Sequence, residues 1–175
     1  MSRKHTLRAC FNSDLPALEP LYRAAFPDED LMPLLRDLSA CKESIYSQIA
    51  IINGDIAGHV VFTMCNVDTN SSPVALLGPL CVLPERQKRG VGSSLVRSGI
   101  EHCREQSIAL VLVLGDPTYY GRFGFRSETG VSAPFSLPEE WKDAWQSVKL
   151  NDHSTRPRGK LVVPVPWRDR ALWGP

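Results

Sequence analysis

A short segment that combines glycines with basic and hydroxyl residues is the part of this sequence best suited to bind an anion. It runs from residue 84 to residue 95 and reads PERQKRGVGSSL. Gly90 and Gly92 permit positive φ angles and let a ligand approach the backbone closely. A helix predicted to begin here would add unpaired N–H groups and the positive end of its dipole. The segment therefore predicts a phosphate-binding turn, and a tight turn with a solvated basic rim is the alternative.

Leu95 argues against a dinucleotide-binding fingerprint at this turn, because it stands where the third glycine of that fingerprint would be. The cationic and hydroxyl side chains around the two glycines are Arg86, Lys88, Arg89, Ser93 and Ser94. Over the whole chain, 20 basic and 19 acidic residues leave a formal net charge of +1. Bulk charge therefore gives no support for a nucleic-acid partner, and the positive charge that could bind an anion is local.

Hydrophobic patterns place this turn between a strand and a helix. Residues 74–83 form an apolar run that Gly78-Pro79 interrupts. Because proline cannot donate to a sheet ladder, this pair predicts a bulge or a point where the strand parts from a neighbour. Apolar residues recur at helical spacing over 91–103, and residues 108–114 form a continuous apolar strand typical of burial on both faces. Strand, glycine turn, helix and strand make one βαβ unit.

The first part of the chain predicts a strand, two helices and a hairpin. Residues 6–11 resemble a short strand, and Asn12-Ser13-Asp14 offers N-cap oxygens to a helix that Pro20 should kink or end early. Residues 28–41 carry a second amphipathic helical pattern. Asn53-Gly54 between two apolar runs is a strong hairpin signal. The element order favours one α/β domain of 175 residues with a mixed sheet covered by helices.

Two motifs in the chain resemble those of a known enzyme family. Residues 87–92, QKRGVG, match the Q/RxxGxG/A signature of the GCN5-related N-acetyltransferases, between a strand and a helix as in that family. Residues 120–125, YGRFGF, are similar to the family's YxRxGF stretch, and LGDPTYYGRFGF after a buried strand resembles the bacterial YhbS-like branch. The likeness covers about residues 6–130 in element order, and its specific residues fall in 78–125.

The resemblance implies an α/β fold with a mostly antiparallel, twisted sheet that is flanked by helices and splays between its fourth and fifth strands. Gly78-Pro79 gives a physical reason for that splay. The resemblance also implies a single N-acetyltransferase domain over residues 1–175, with a coenzyme-binding core at about 74–125 and a Pro/Trp-rich C-terminal extension at about 130–175.

The co-substrate that the resemblance implies is acetyl-CoA (coenzyme A), without a metal. The residues implied beside the pantetheine arm, where a backbone N–H would polarise the thioester carbonyl, are Leu80, Cys81 and Val82. The residues implied around the pyrophosphate are Gln87, Lys88, Arg89, Gly90, Val91, Gly92 and Ser93.

Transfer in this family is direct, from the thioester to a primary amine, here of a small molecule or a peptide. Tyr120 stands at the position of the family's tyrosine acid, which assists departure of the coenzyme A thiolate. Packing of Tyr120 beside Tyr119 is the structural alternative. Cys81 is interpreted as a core residue rather than a nucleophile, because the family transfers directly. A catalytically silent acyl-CoA-binding sensor or interaction module of the same fold is the alternative function.

A general base is not evident from the sequence. Some family members carry a glutamate in the strand before the turn, but residues 74–82 contain no carboxylate. The remaining candidates are Asp116, Asp68, His59 and a chain of water molecules. Each side chain also has a structural interpretation, since Asp116 precedes a proline and suits a cap, and His59 lies in a predicted strand.

The resemblance places the acceptor site near the loop between the first two helices. Residues 28–30 in that loop, Asp28, Glu29 and Asp30, would either attract a cationic amine or cap the next helix. All four tryptophans lie in the C-terminal tail, which would cover the acceptor cleft, form a homodimer surface or fill gaps in the core. GKLVVPV at 159–165 predicts a last strand, at a sheet edge because of its proline.

The spacing of cysteines and histidines bears on the compartment. Five cysteines are an odd number without a CxxC pair, and four histidines are widely spread, so neither a disulfide framework nor a zinc site fits. No apolar run is long enough to span a bilayer. We therefore expect a cytoplasmic enzyme, a monomer or a homodimer, with no nucleic-acid or membrane partner.

Overall fold

The computed structural model describes residues 4–41, 44–152 and 155–175; His153 lies outside these ranges, and only the backbone of Asn70 and Ser71 is described. Within these residues the fold is α/β, with a mixed sheet of nine strands flanked by helices. The helices are α1 (Leu15–Ala25), α2 (Met32–Ala40), α3 (Val91–Glu105) and α4 (Pro117–Tyr120). The strands are β1 (Thr6–Ala9), β2 (Ile45–Ile52), β3 (Asp55–Val67), β4 (Asn70–Val82), β5 (Leu110–Leu114), β6 (Arg126–Ser127), β7 (Val131–Ser132), β8 (Trp145–Lys149) and β9 (Gly159–Val162).

The residues group into two compact units. The first unit comprises Met1–Phe62 and Gly78–Gly99, and the second comprises Thr63–Leu77 and Ile100–Pro175. The strands β3 and β4 and the helix α3 each contribute residues to both. In the described ranges, no helix has the length and apolar character needed to cross a membrane.

In the first unit, β1 and β2 pair antiparallel, from Thr6 opposite Ile51 to Ala9 opposite Gln48. The predicted hairpin is confirmed, because β2 and β3 are joined at Asn53 and Gly54, whose φ angles are 54° and 88°. Two consecutive positive φ angles define the type I′ turn that asparagine followed by glycine favours. The core of this unit includes apolar residues from α1, α2, β2 and β3, among them Leu18, Leu21, Leu38, Ile49 and Phe62.

Helix α1 differs from its prediction in its N-terminal cap and in its length. The Asp14 carboxylate does not cap α1; it accepts from the Phe11 N–H at 2.8 Å and from the Arg8 guanidinium at 2.8 Å. The helix continues through Pro20 to Ala25, so the predicted early end is wrong. Proline removes one hydrogen bond to the carbonyl four residues earlier, here in the first turn, whereas burial of Leu21 and Tyr22 beyond it favours the continued helix.

In the second unit, β5 is the central strand. It pairs in parallel with β4, from Val74 opposite Leu110 to Leu77 opposite Val113. On its other side it pairs antiparallel with β8, which also pairs with β6. Strand β9 pairs antiparallel with the end of β3 and in parallel with β7, so the predicted edge position of this strand is wrong. The strand ends at Val162, before the proline at 164.

The ladder between β4 and β5 ends at Leu77, immediately before Gly78 and Pro79. The peptide bond between these two residues is cis, and the φ angle of Gly78 is 147°. Proline has no N–H to continue a ladder. The end of the ladder agrees with the predicted interruption at this pair, and the splay of the fourth strand from the fifth stays a prediction.

Three tryptophans of the C-terminal tail fill the core of the second unit. The Trp173 ring lies 5.9 Å from the Trp145 ring and 6.0 Å from the Trp167 ring, measured between centroids. Each indole N–H has an acceptor: Trp145 donates to the Val131 carbonyl at 2.7 Å, Trp167 to the Thr63 hydroxyl, and Trp173 to the Trp167 carbonyl. Of the three roles open for the tail, this geometry supports core filling.

Candidate functional site

The glycine turn of the first unit has the backbone geometry of an anion-binding nest. A short 3₁₀ turn covers Pro84–Arg86, after which Lys88 has a φ of 58° and Gly90 a φ of 83°. The Gly90 carbonyl accepts from the Ser94 N–H at 3.0 Å, so α3 begins directly after Gly90. Left-handed residues followed by a helix N-terminus turn successive N–H groups toward one concave surface. The left-handed conformation of Lys88 had no signal in the sequence.

The backbone conformation of Gly90 favours glycine at this position. A Cβ atom built on it meets no atom within 4 Å, whereas its φ lies in the left-handed region that L side chains rarely adopt. A side chain at this position would therefore strain the backbone of the turn.

Side chains tie the turn to its surroundings. The Gln87 amide donates to the Val82 carbonyl at 3.2 Å, which joins the turn to the end of β4. Lys88 and Arg89 are exposed and Arg86 is half-buried, so the local positive charge faces solvent. Val91 is buried, and the Ser94 hydroxyl lies 2.7 Å from His5 Nε2.

The end of β4 alternates between two faces. Leu80 and Val82 are half-buried, whereas Cys81 is 4% exposed. Burial raises the pKa of the Cys81 thiol to about 12, and the neighbouring Tyr22 hydroxyl acts in the opposite direction. A thiol in this state is not a nucleophile at neutral pH, which agrees with its interpretation as a core residue.

A cavity of ≈ 590 Å³ lies beside α1, α2 and the loop between them. Its apolar lining includes Tyr22, Phe26 and Met32, and its charged lining consists of Glu19, Arg23, Asp28, Glu29, Asp30 and Arg36. Arg23 pairs with Glu19 at 2.6 Å. The Asp30 carboxylate accepts from the Met32 N–H at 3.1 Å and thereby caps α2, which is the structural alternative for that residue. The acidic loop thus contributes two further exposed carboxylates to the cavity.

His59 lies in the core of the first unit, 2% exposed, with both ring nitrogens hydrogen-bonded. Nδ1 is 2.7 Å from the Tyr22 hydroxyl, and Nε2 is 2.7 Å from the Ser47 hydroxyl. Burial lowers the pKa of His59 to about 3, with the Asp14 charge acting weakly in the opposite direction. The imidazole is therefore neutral at physiological pH. Sequence analysis did not single out Tyr22 or Ser47. Tyr22 fits the apolar face of a predicted helix, and Ser47 lies in a predicted strand, so neither residue type is unusual at its position.

Tyr120 lies in the second unit among aromatic rings. Its ring centroid is 5.0 Å from that of Tyr119 and 5.6 Å from that of Phe125. The ring also covers Gly115, where a Cβ atom would overlap it. Burial raises the pKa of Tyr120 above that of an ordinary phenol, and the neighbouring Tyr119 acts in the same direction. The phenol is consequently protonated at any physiological pH and is suited to donate a proton.

The two carboxylates considered as bases both bind backbone N–H groups in the second unit. Asp116 caps α4, accepting from the Thr118 N–H at 2.8 Å. Asp68 accepts from the Lys160 N–H at 2.8 Å. These contacts favour the structural interpretation of both residues. Within the described ranges, no group of three or more His, Cys, Asp or Glu side chains could hold a metal ion.

Comparison with known proteins agrees with this geometry. The sequence model of the Acetyltransferase (GNAT) family matches residues 15–125. An uncharacterized N-acetyltransferase of Escherichia coli strain K12, YjhQ, is 35% identical over 143 residues, which cover 79% of this chain and 78% of YjhQ.

Two solved structures share the fold over most of the chain. The GNAT family N-acetyltransferase YhbS of Escherichia coli, in complex with CoA, has a TM-score of 0.84 at 23% identity and covers 95% of this chain and 93% of YhbS. A GNAT family acetyltransferase of Brucella melitensis, in complex with acetyl-CoA, has a TM-score of 0.77 at 24% identity, with 94% of this chain and 99% of that protein covered. This chain belongs to the GNAT family of N-acetyltransferases.

Proposed function

We propose that this chain transfers the acetyl group of acetyl-CoA directly to a primary amine of a small molecule or a peptide. The observation that carries the proposal is the backbone of the glycine turn, where left-handed Lys88 and Gly90 precede the N-terminus of α3. Such a turn suits the phosphates of a coenzyme. The YhbS and Brucella melitensis structures, which are named as complexes with CoA and acetyl-CoA, support this assignment.

The residues of the first unit fit the coenzyme as follows. The pyrophosphate would be held by the turn and the first residues of α3, namely Gln87, Lys88, Arg89, Gly90, Val91, Gly92 and Ser93. The pantetheine arm would lie along the backbone of Leu80, Cys81 and Val82, beyond the point where the β4–β5 ladder ends. A backbone N–H in that segment would polarise the thioester carbonyl. When bound, acetyl-CoA supplies an acetyl thioester to the amine.

Tyr120 would donate a proton to the leaving thiolate. This role follows from the family resemblance at residues 120–125. Burial raises the pKa of the phenol and keeps it protonated throughout the pH range of an enzyme assay, so that its O–H can hydrogen-bond the departing sulfur and pass its proton as negative charge develops there.

The acceptor amine would occupy the cavity beside α1 and α2. Asp28 and Glu29 are exposed at its rim, and the acidic loop gives this side of the cavity a negative charge that favours a protonated amine. We further propose that the enzyme is cytoplasmic and a monomer or a homodimer. Five free cysteines, three of them buried, support a reducing compartment.

A catalytically silent acyl-CoA sensor of the same fold is the second candidate function. It is favoured by the lack of a carboxylate in residues 74–82 and by the backbone contacts that occupy Asp116 and Asp68.

Calorimetric titration with acetyl-CoA, followed by a thiol-release assay over four amines, separates these functions. The amines are spermidine, tyramine, glycinamide and an N-terminally free alanine peptide. Binding together with thiol release above the rate without amine supports the transferase. Binding without release for all four amines favours the sensor, and the absence of binding contradicts both.

A further inference from the structure

Three side chains from three elements form a continuous hydrogen-bonded chain through the core of the first unit. The Tyr22 hydroxyl from α1 lies 2.7 Å from His59 Nδ1 on β3, and His59 Nε2 lies 2.7 Å from the Ser47 hydroxyl on β2. We refer to Tyr22, His59 and Ser47 as the Tyr22–Ser47 chain. A thiol lies near each end, that of Cys81 on β4 near the Tyr22 hydroxyl and that of Cys10 after β1 near the Ser47 hydroxyl.

The chain joins two different surroundings. Tyr22 is 2% exposed and is one of the residues that line the cavity beside α1 and α2. Ser47 and Cys10, at the other end, are half-buried near the edge strand β1. A proton path between Tyr22 and Ser47 would use the two hydrogen bonds already present, and a further transfer would join half-buried Ser47 to solvent.

Every bond in the chain is satisfied in two opposite directions. In one direction Tyr22 O–H donates to Nδ1 and Nε2–H donates to Ser47, which leaves the Ser47 proton available to solvent or to the Cys10 thiol. In the other, Ser47 O–H donates to Nε2 and Nδ1–H donates to Tyr22, which leaves the Tyr22 proton available to the cavity or to the Cys81 thiol. The neutral imidazole can donate from either nitrogen, so both of its hydrogen bonds are satisfied in either direction.

The charged groups around His59 leave it neutral. The charge of Asp14, which pairs with Arg8, acts on His59 against the effect of burial, and the thiols of Cys81 and Cys10 are uncharged because burial raises the pKa of both. Since burial lowers the pKa of His59 to about 3, the ring would not hold an extra proton at neutral pH. It would instead accept a proton at one nitrogen while releasing another.

We propose that the Tyr22–Ser47 chain is the proton relay that deprotonates the acceptor amine, an inference that rests on the proposed function. The overall reaction converts an ammonium and acetyl-CoA into an amide, free coenzyme A thiol and one proton, and this proton must leave the site. The ammonium N–H proton passes to the Tyr22 oxygen as the Tyr22 proton passes to His59 Nδ1. The Nε2 proton passes to Ser47, and the Ser47 proton passes to solvent.

The relay is restored after the product leaves. A proton then moves in reverse, from solvent at Ser47 to water in the emptied cavity, and the chain regains its first direction. The net result is one proton released for each turnover, with only N–H and O–H bonds broken and formed. Tyr22 is the residue that meets the amine, while His59 and Ser47 act through it.

The test measures kcat against pH for Tyr22→Phe, using whichever of the four panel amines gives the highest turnover. We expect kcat to fall by about 10- to 100-fold at a pH well below the amine's own pKa. The loss should disappear as the pH approaches that pKa, because the amine is then already neutral. The KM of acetyl-CoA should be unchanged. Tyr46→Phe is the matched control, because this neighbouring tyrosine packs on Phe62 and lies outside the chain.

Ser47 provides a second pair of variants that test the same relay. Ser47→Ala should reproduce the pH-dependent loss, and Ser47→Thr, which keeps the hydroxyl, should restore turnover. A loss of equal size at every pH, or wild-type kcat in Tyr22→Phe, would overturn the relay while the transferase function stands. Failure of the wild-type protein to bind acetyl-CoA or to release thiol with any amine removes the proposed function, and the relay with it. Thermal denaturation of each variant identifies losses due to misfolding.

Discussion

Gly115 and Tyr120 are matched in space, since the tyrosine ring occupies the volume that a side chain at residue 115 would need. Gly115 directly follows β5, and its N–H donates to the Ala144 carbonyl at 2.9 Å, which holds its backbone in place. The ring is supported on its other sides by Tyr119 and Phe125. The position of the Tyr120 ring, the proposed acid, therefore depends on residue 115 being a glycine.

Substituting Gly115 should displace the Tyr120 ring and slow turnover. For Gly115→Ala we expect kcat to fall by about 10-fold, because small misplacement of a reacting group is costly, with little change in the dissociation constant of acetyl-CoA. Gly121→Ala is the matched control, since a Cβ atom there meets nothing within 4 Å and its φ of −54° suits alanine. Equal kcat values in the two variants would contradict this positioning role.

Removing the Tyr120 hydroxyl tests its role as the acid. Tyr120→Phe should lower kcat by about 10- to 1000-fold and leave the affinity for acetyl-CoA nearly unchanged, because the ring still packs. Steady-state kinetics and calorimetry measure the two quantities. Tyr119→Phe serves as the control for removal of a neighbouring hydroxyl, and wild-type turnover in Tyr120→Phe would refute the acid role.

The backbone conformation of Gly90 should control coenzyme binding. A non-glycine residue in the left-handed region costs about 1–2 kcal/mol, so Gly90→Ala should weaken acetyl-CoA binding by about 5- to 30-fold, and Gly90→Val by more. Gly90→Asn should bind better than Gly90→Ala, because asparagine adopts this conformation more readily. Calorimetric dissociation constants for the three variants test the order; if Ala and Asn bind equally, backbone strain is not the cause.

The acidic rim of the cavity should set the affinity for a cationic acceptor. In the double variant Asp28→Asn, Glu29→Gln, we expect the KM of spermidine to rise by about 2- to 5-fold per charge at low salt, and less at high salt. Asp37→Asn, on α2 outside the cavity lining, is the control. An unchanged spermidine KM at every salt concentration would remove the electrostatic role.

Buried His59 should make the stability of the protein depend on pH. Its pKa is about 3 in the folded protein and about 6.5 when unfolded, so the unfolded chain binds the extra proton between these values. The free energy of unfolding should therefore rise with pH through this window, and fall by about 2 kcal/mol on going from pH 7 to pH 5. Urea denaturation at pH 7 and pH 5 measures this difference in the free energy of unfolding. In His59→Gln, most of the difference should disappear.

Local features of this protein could be predicted from the sequence because their causes lie within a few residues. Asn53 and Gly54 tolerate positive φ and so determine a hairpin, and Gly78-Pro79 lacks the N–H that a ladder needs. The glycine turn and the motif around Tyr120 were likewise evident. Strand β8 was missed, because its buried Gln146 and Ser147 break the apolar pattern of a core strand.

The polar residues of β8 are explained only by partners that lie far away in sequence. The Gln146 amide donates to the Gly115 carbonyl at 3.0 Å, and the Ser147 hydroxyl contacts the Glu128 carboxylate, which also pairs with Arg156 at 2.7 Å. A buried polar group is tolerated once its hydrogen bonds are satisfied. Such partners are invisible to an argument from hydrophobic periodicity.

The sequence by itself determined the family, the fold class and the glycine turn, because these depend on residue types at fixed short spacings. Only the tertiary structure decided what His59 does, since Tyr22 lies 37 positions away and Ser47 12 positions away along the chain. The packing of α1 on the strands brings these groups to hydrogen-bonding distance. Burial then removes the solvent that would stabilise the protonated, charged imidazole. His59 on β3 is therefore the neutral centre of a hydrogen-bonded chain.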